Sequence, residues 1–178
     1  MLIKNGIVPN IRTTAHIKNN ATPQETAQVM RQVILEESKK NYITQIARQL
    51  CVSKNEPVRT AYLLCNFAFV SATMQPDAPG LQVVRTPAAT LRDKRGNCVD
   101  YTVLIGAIAT AAGIPVIIKV VALEPDGEFV HVYPVVNGFS CDVVPFQKQD
   151  GTEYLTRDPN ATVYPTEKEY TKYFLLEV

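Results

Sequence analysis

A chain of 178 residues, 46% hydrophobic and 20% charged, is long enough for one well-packed domain and too short for two, so a single domain over 1–178 is expected. Its 18 Lys and Arg against 17 Asp and Glu leave a formal net charge of +1, which excludes the long-range field that would hold it to nucleic acid or an anionic membrane. No stretch approaches about 18 consecutive apolar residues, and the opening MLIKNGIVPNIRTT lacks the apolar core and cleavage site of a signal peptide, so a soluble protein starting at its native Met1 is expected.

The four cysteines, Cys51, Cys65, Cys98 and Cys141, fall at wide, irregular spacings with no C-x-x-C pair, and reduced thiols in a cytoplasm are the simplest expectation. Along the chain, Thr22, Pro23 and Glu25 predict an N-cap, a first-turn proline and a capping-box partner for a helix over about 22–40, with Ala27, Met30, Val33 and Ile34 as its apolar stripe. A second helix over about 42–52 carries Ile43, Ile46, Ala47 and Leu50. Asn55 and Pro57 then open a third, over about 56–74, that is apolar on most sides and so deeply packed; Cys51 and Cys65 belong to these helices as core or surface residues. From Gln75 to Ala89, Pro76, Pro79, Gly80 and Pro87 surround the extended run Leu81–Val84, which reads as a loop.

Asn97 to Ala112 has the apolar content of a buried helix, with Asn97 as N-cap, Asp100 three residues on, and Gly113 and Pro115 as stops. Beyond it the pattern turns β-branched: Val116–Leu123, a Pro125-Asp126-Gly127 turn, Phe129–Val136, an Asn137-Gly138 turn, and Phe139–Pro145, an antiparallel meander. The tail from Gln147 offers Tyr154, Tyr164, Tyr170, Tyr173 and Phe174 as possible packing residues and no assignable chemistry.

Cys98 falls in the first turn of its helix, where unpaired N–H groups and the helix dipole favour a thiolate, and its own N–H is a candidate oxyanion donor; the plainer alternative is a cysteine that merely begins a helix. His131 sits in a strand, where a lone histidine is often structural. The Asn137-Gly138 turn, however, pairs Val136 with Phe139 and, counting back, places Tyr133 opposite Asp142, which makes His131 and Asp142 diagonal neighbours on one face. An Asp there fixes the imidazole tautomer and stabilises the imidazolium; the alternative for Asp142 is an edge charge that blunts aggregation. A zinc site of Cys98, His131, Cys141 and Asp142 is disfavoured because the same register turns Cys141 to the opposite face, so no metal is expected.

The ordered set Arg85-Thr86-Pro87-Ala88-Ala89-Thr90-Leu91, Gly96-Asn97-Cys98-Val99-Asp100-Tyr101, Ala112-Gly113-Ile114-Pro115, His131-Val132-Tyr133-Pro134 and Asp142-Val143-Val144 resembles the transglutaminase-like domain. That resemblance, over residues 85–145, implies a papain-like α+β fold, with N-terminal helices before a nucleophile helix and an antiparallel β-sheet after it. It also implies thiol chemistry on amides, with Cys98, His131 and Asp142 as the catalytic set and no cofactor. The chain has no Trp near the oxyanion; Tyr133 fills the aromatic position after the histidine, and Asn97 and Gln82 are candidates for a second oxyanion donor. Its small size and the lack of a calcium loop look like the stand-alone bacterial and phage members. The expected activity is peptide or amide hydrolysis on a peptide or protein substrate. The alternatives are acyl transfer to an amine, as in a protein-glutamine transglutaminase, and a non-catalytic binding or assembly module that retains the fold.

Overall fold

The computed structural model describes residues 14–16, 21–78, 82–143 and 170–178. After strand β1 (Thr14–His16) comes helix α1 (Pro23–Glu37). The Thr22 hydroxyl accepts from the Glu25 N–H and the Glu25 carboxylate accepts from the Thr22 N–H, so the expected capping box forms. Ala27, Met30 and Ile34 are buried, with Val33 at the margin.

Helix α2 (Asn41–Gln49) ends before the expected boundary, with Leu50 as its C-cap and Cys51 at φ 54 turning the chain away. Helix α3 (Pro57–Ser71) starts from Glu56 rather than Asn55. Its far end is not deeply packed: Val70 is 73% exposed, and Ala72 goes extended so that β2 (Thr73–Met74) can pair in parallel with β4 (Arg95–Gly96).

The segment expected to be a loop contains two elements. Strand β3 (Val83–Arg85) pairs antiparallel with β1, and helix α4 (Pro87–Asp93) follows, its Ala89 N–H bonded to the Thr86 hydroxyl. Thr86-Pro87 is the same start signal as Thr22-Pro23; the surrounding prolines and glycine masked it.

Helix α5 (Cys98–Ala111) is buried along nearly its whole length, from Val99 to Ala109, as a helix apolar on every side must be. It packs against α1, α2, α3 and α4 on its flanks and against the sheet. At Gly106 a Cβ would stand 2.7 Å from the buried Ile34 side chain, so the missing side chain is what lets α1 approach. Gly113, at φ 70, ends α5 in the left-handed conformation that glycine adopts without strain.

The meander forms as expected, from β5 (Val116–Ala122), β6 (Phe129–Val136) and a short β7 (Phe139–Ser140). Asn137 at φ 50 and Gly138 at φ 86 make the tight turn that pairs Val136 with Phe139. The strand ends at Ser140, with one further backbone bond from the Cys141 N–H to the Pro134 carbonyl at 2.8 Å, so the strand expected as far as Pro145 is shorter; residues 144 and 145 lie outside the described residues. Between β5 and β6 the register slips: Val121 pairs with His131 but Ala122 with Phe129, leaving Val130 as an extra, bulged residue that is 59% exposed. The tail supplies a strand that sequence reasoning did not foresee, β8 (Tyr173–Glu177), antiparallel to β5, which gives the sheet order β7-β6-β5-β8. Tyr170 is buried and Phe174 packs edge-on against Phe129 at 5.2 Å, while Tyr154 and Tyr164 lie outside the described residues. Helices followed by an antiparallel four-stranded sheet make this an α+β fold, as expected.

Candidate active site

The start of α5 is built from several segments. Asn97 caps it: its Oδ1 accepts from the Val99 N–H at 3.0 Å and the Asp100 N–H at 3.3 Å, while the Asp100 carboxylate accepts from the Asn97 N–H at 3.0 Å. The cap takes two of the N–H groups that a helix start leaves open and does not take that of Cys98. Asp100 folds back so closely that a Cβ on Gly96 would come within 2.9 Å of its own, which explains glycine two residues before the cysteine.

Asp100 is fully buried and held by Arg85 twice, through the Arg85 N–H at 2.9 Å and Nη1 at 2.7 Å. Burial pushes the Asp100 carboxyl up, against the pull of the Arg85 and Asn97 N–H groups and the guanidinium. Burial alone would lower Arg85, but the Asp100 and Asp77 carboxylates hold it above its ordinary value. Removing one member would strand a buried charge, at a cost of about 3–5 kcal/mol.

The Thr102 hydroxyl, one turn into α5, lies 2.7 Å from the Cys98 carbonyl and 3.3 Å from the Val132 carbonyl. It ties the first turn of the helix to the strand at the residue after His131. The structure therefore brings a half-buried Cys98 and a buried His131 together from two elements nearly three dozen residues apart in sequence.

His131 Nε2 lies 2.8 Å from Asp142 Oδ2. The Cys98 thiol is the other side chain whose interaction with the ring favours its charged form. Burial works against a charged imidazole, but the bonds and charges of Asp142 and then Cys98 push His131 from 6.5 up to about 9. One ring thus stands between a thiol and a carboxylate, which is the arrangement needed to hold a proton and hand it over.

Neighbours in sequence divide as the register argument expects. Asp142 meets His131, whereas Cys141 is buried with its thiol 3.9 Å from the Ala61 carbonyl of α3. Cys65, next to it, is pushed well above the ordinary thiol range by the Cys141 thiol and by burial, so Cys65 is held in the unreactive thiol form. Cys51 is exposed. Among the described residues no group of three or more His, Cys, Asp and Glu could hold a metal ion, and no helix is long and apolar enough to cross a membrane.

Tyr133 is buried beside His131, ring centroids 5.7 Å apart, and stacks on toward Tyr170 at 6.3 Å. The Asn97 side chain is engaged at both ends, its oxygen in the cap and its Nδ2 donating to Asp77 Oδ2 at 3.0 Å. Gln82 is half-buried ahead of β3, and among the described residues it makes no hydrogen bond to Cys98 or His131. Sequence reasoning missed Asp77 and the ion-pairing of Arg85; a charged residue inside the proline-rich segment was the available signal.

No curated protein and no solved structure matches the chain. The model of the transglutaminase-like superfamily matches residues 44–139, more than half of the chain, spanning α2 to β7 and including Cys98 and His131. With that match over an α+β fold of the same kind, the chain belongs to the transglutaminase-like superfamily.

Proposed function

We propose that this chain is a cysteine-dependent enzyme that hydrolyses peptide or amide bonds through a thioester. Cys98 attacks the carbonyl carbon of the substrate amide, and the Cys98 N–H receives the developing oxyanion. The proton drawn from the thiol already sits on the His131 imidazolium when the sulfur attacks, and His131 delivers it to the nitrogen as the C–N bond breaks. Asp142 holds the ring and its charge. Water, losing its proton to His131, then adds to the thioester, and the thiolate leaves with the acid released.

The observation that carries this reading is the His131 imidazole bonded to Asp142 at 2.8 Å, with the Cys98 thiol among the groups that hold its proton. Family membership supports the same class of chemistry. The test is incubation with a mixed peptide library, with and without an added alkyl amine, and mass spectrometry of the products. Wild type should cleave and Cys98→Ala should not, since the variant lacks the thiol that His131 and Asp142 serve. A Cys98→Ala protein with undiminished activity would sink the reading and favour a binding module on this fold. Amine adducts in place of hydrolysis would move the assignment to transamidation with the same three residues.

A further inference from the structure

Asp77 lies after β2, twenty residues before the cap of the nucleophile helix. Its side chain is 10% exposed, and it gathers three donors from three places: Arg85 Nη2 at 2.8 Å, the Val83 N–H at 3.2 Å and Asn97 Nδ2 at 3.0 Å. A carboxylate only accepts, whereas the two ends of a carboxamide have the same shape and opposite hydrogen-bonding character. Asp77 therefore decides which way Asn97 faces. With Nδ2 drawn to Asp77, Oδ1 must turn to the Val99 and Asp100 N–H groups, as observed. The reverse orientation would set an NH₂ group against those two donors and undo the cap, and Cys98 is the residue between Asn97 and Val99.

We infer that Asp77 is a positioning residue, which orients the Asn97 amide and through it the Cys98 N–H that receives the oxyanion. The inference rests on the proposed role of Cys98, and two small probes separate it from that role. Acylation by p-nitrophenyl acetate forms a bond from Cys98 Sγ to the acetyl carbon and breaks the carbonyl–oxygen bond. Nitrophenolate is expelled, through an oxyanion on the way, while the proton drawn from the thiol stays on His131. Alkylation by iodoacetamide forms the S–C bond and releases iodide with no oxyanion at all. The ratio of the two rates reads the oxyanion donor apart from the thiol.

Three variants complete the test: Asp77→Asn, Asn97→Asp and the double substitution. Asp is as good an N-cap as Asn, so without an acceptor facing it Asn97→Asp would be harmless. With Asp77 opposite, two carboxylates meet, and the double variant restores one donor and one acceptor between positions 77 and 97 with their places exchanged, at the loss of the Val83 N–H bond to the same Asp77 oxygen.

Each single variant should lower the acylation-to-alkylation ratio about 10- to 100-fold, the scale on which a misplaced catalytic group costs rate. The double variant should recover part of it, because it repairs the 77–97 pair but not the Val83 bond or the Arg85 ion pair. Circular dichroism checks folding; should Asp77→Asn not fold, Asn97→Asp against the double carries the test alone. Wild-type ratios in Asp77→Asn or Asn97→Asp, or no recovery in the double, would overturn the inference. A wild-type Cys98 no more reactive than a small free thiol toward either probe would instead overturn the proposed function.

Discussion

At about 9, the ionisation of His131 keeps the ring charged through the neutral range, and the balance behind it can be tested. Burial lowers it; Asp142 and Cys98 raise it more. A histidine whose folded value exceeds its unfolded 6.5 stabilises the fold fully below that unfolded value, and the contribution is lost as pH rises through about 9. The thermal midpoint of the wild type should therefore fall between about pH 7 and about pH 10, and His131→Gln should flatten that slope. Calorimetry at several pH values checks this, and an unchanged slope in the variant would contradict it. For catalysis the same proton is the one given to the leaving amine, so kcat/KM should decline on the alkaline side near 9. Asp142→Asn removes the first of the raising partners. It should shift that limb to lower pH while leaving a measurable rate, because thiol and imidazole remain.

What could be foreseen among the elements was local. The capping boxes at Thr22 and Asn97 formed because cap, first turn and third residue lie within one turn of each other. The contact of His131 with Asp142 was legible for the same reason, since Asn137-Gly138 sets the hairpin register within a few residues. Helix α4 was hidden only by the prolines around it. Strand β8 could not be read, because its place depends on β5 more than fifty residues earlier, and Asp77 reaches Asn97 across twenty residues that include β3 and α4.

The bulge at Val130 belongs with these: no glycine marks it, and it exists only as a mismatch between two strands. Since it immediately precedes His131, it sets how the end of β6 presents the ring. Deleting Val130 should give a more regular ladder, with thermal stability equal or raised, and should lower kcat by about tenfold or more, as a group turned from its productive angle does. A deletion variant with unaltered kcat would show that the bulge has no part in aiming His131.

Across the whole molecule, the three proposed groups come from different layers: Cys98 from the central helix, His131 from the sheet, and Asp142 from the segment just past β7. Asp142 is held from behind, because Cys141 beside it is buried against Ala61 and Cys65 of the helical layer. Overfilling that contact should be felt at the histidine. Cys65→Phe is expected to destabilise by about 1–3 kcal/mol, as added bulk in a packed core does. It should also lower the His131 ionisation in the same direction as Asp142→Asn, although position 65 belongs to neither strand nor catalytic helix. An NMR titration of the imidazole reads the shift, and an unmoved His131 in the folded variant would refute the linkage. Because the carboxylate is anchored in one layer and its imidazole in the other, any slip between the layers becomes a change in acidity. Pressure or warmth that loosens their packing should thus register first as a weaker base, before any loss of structure.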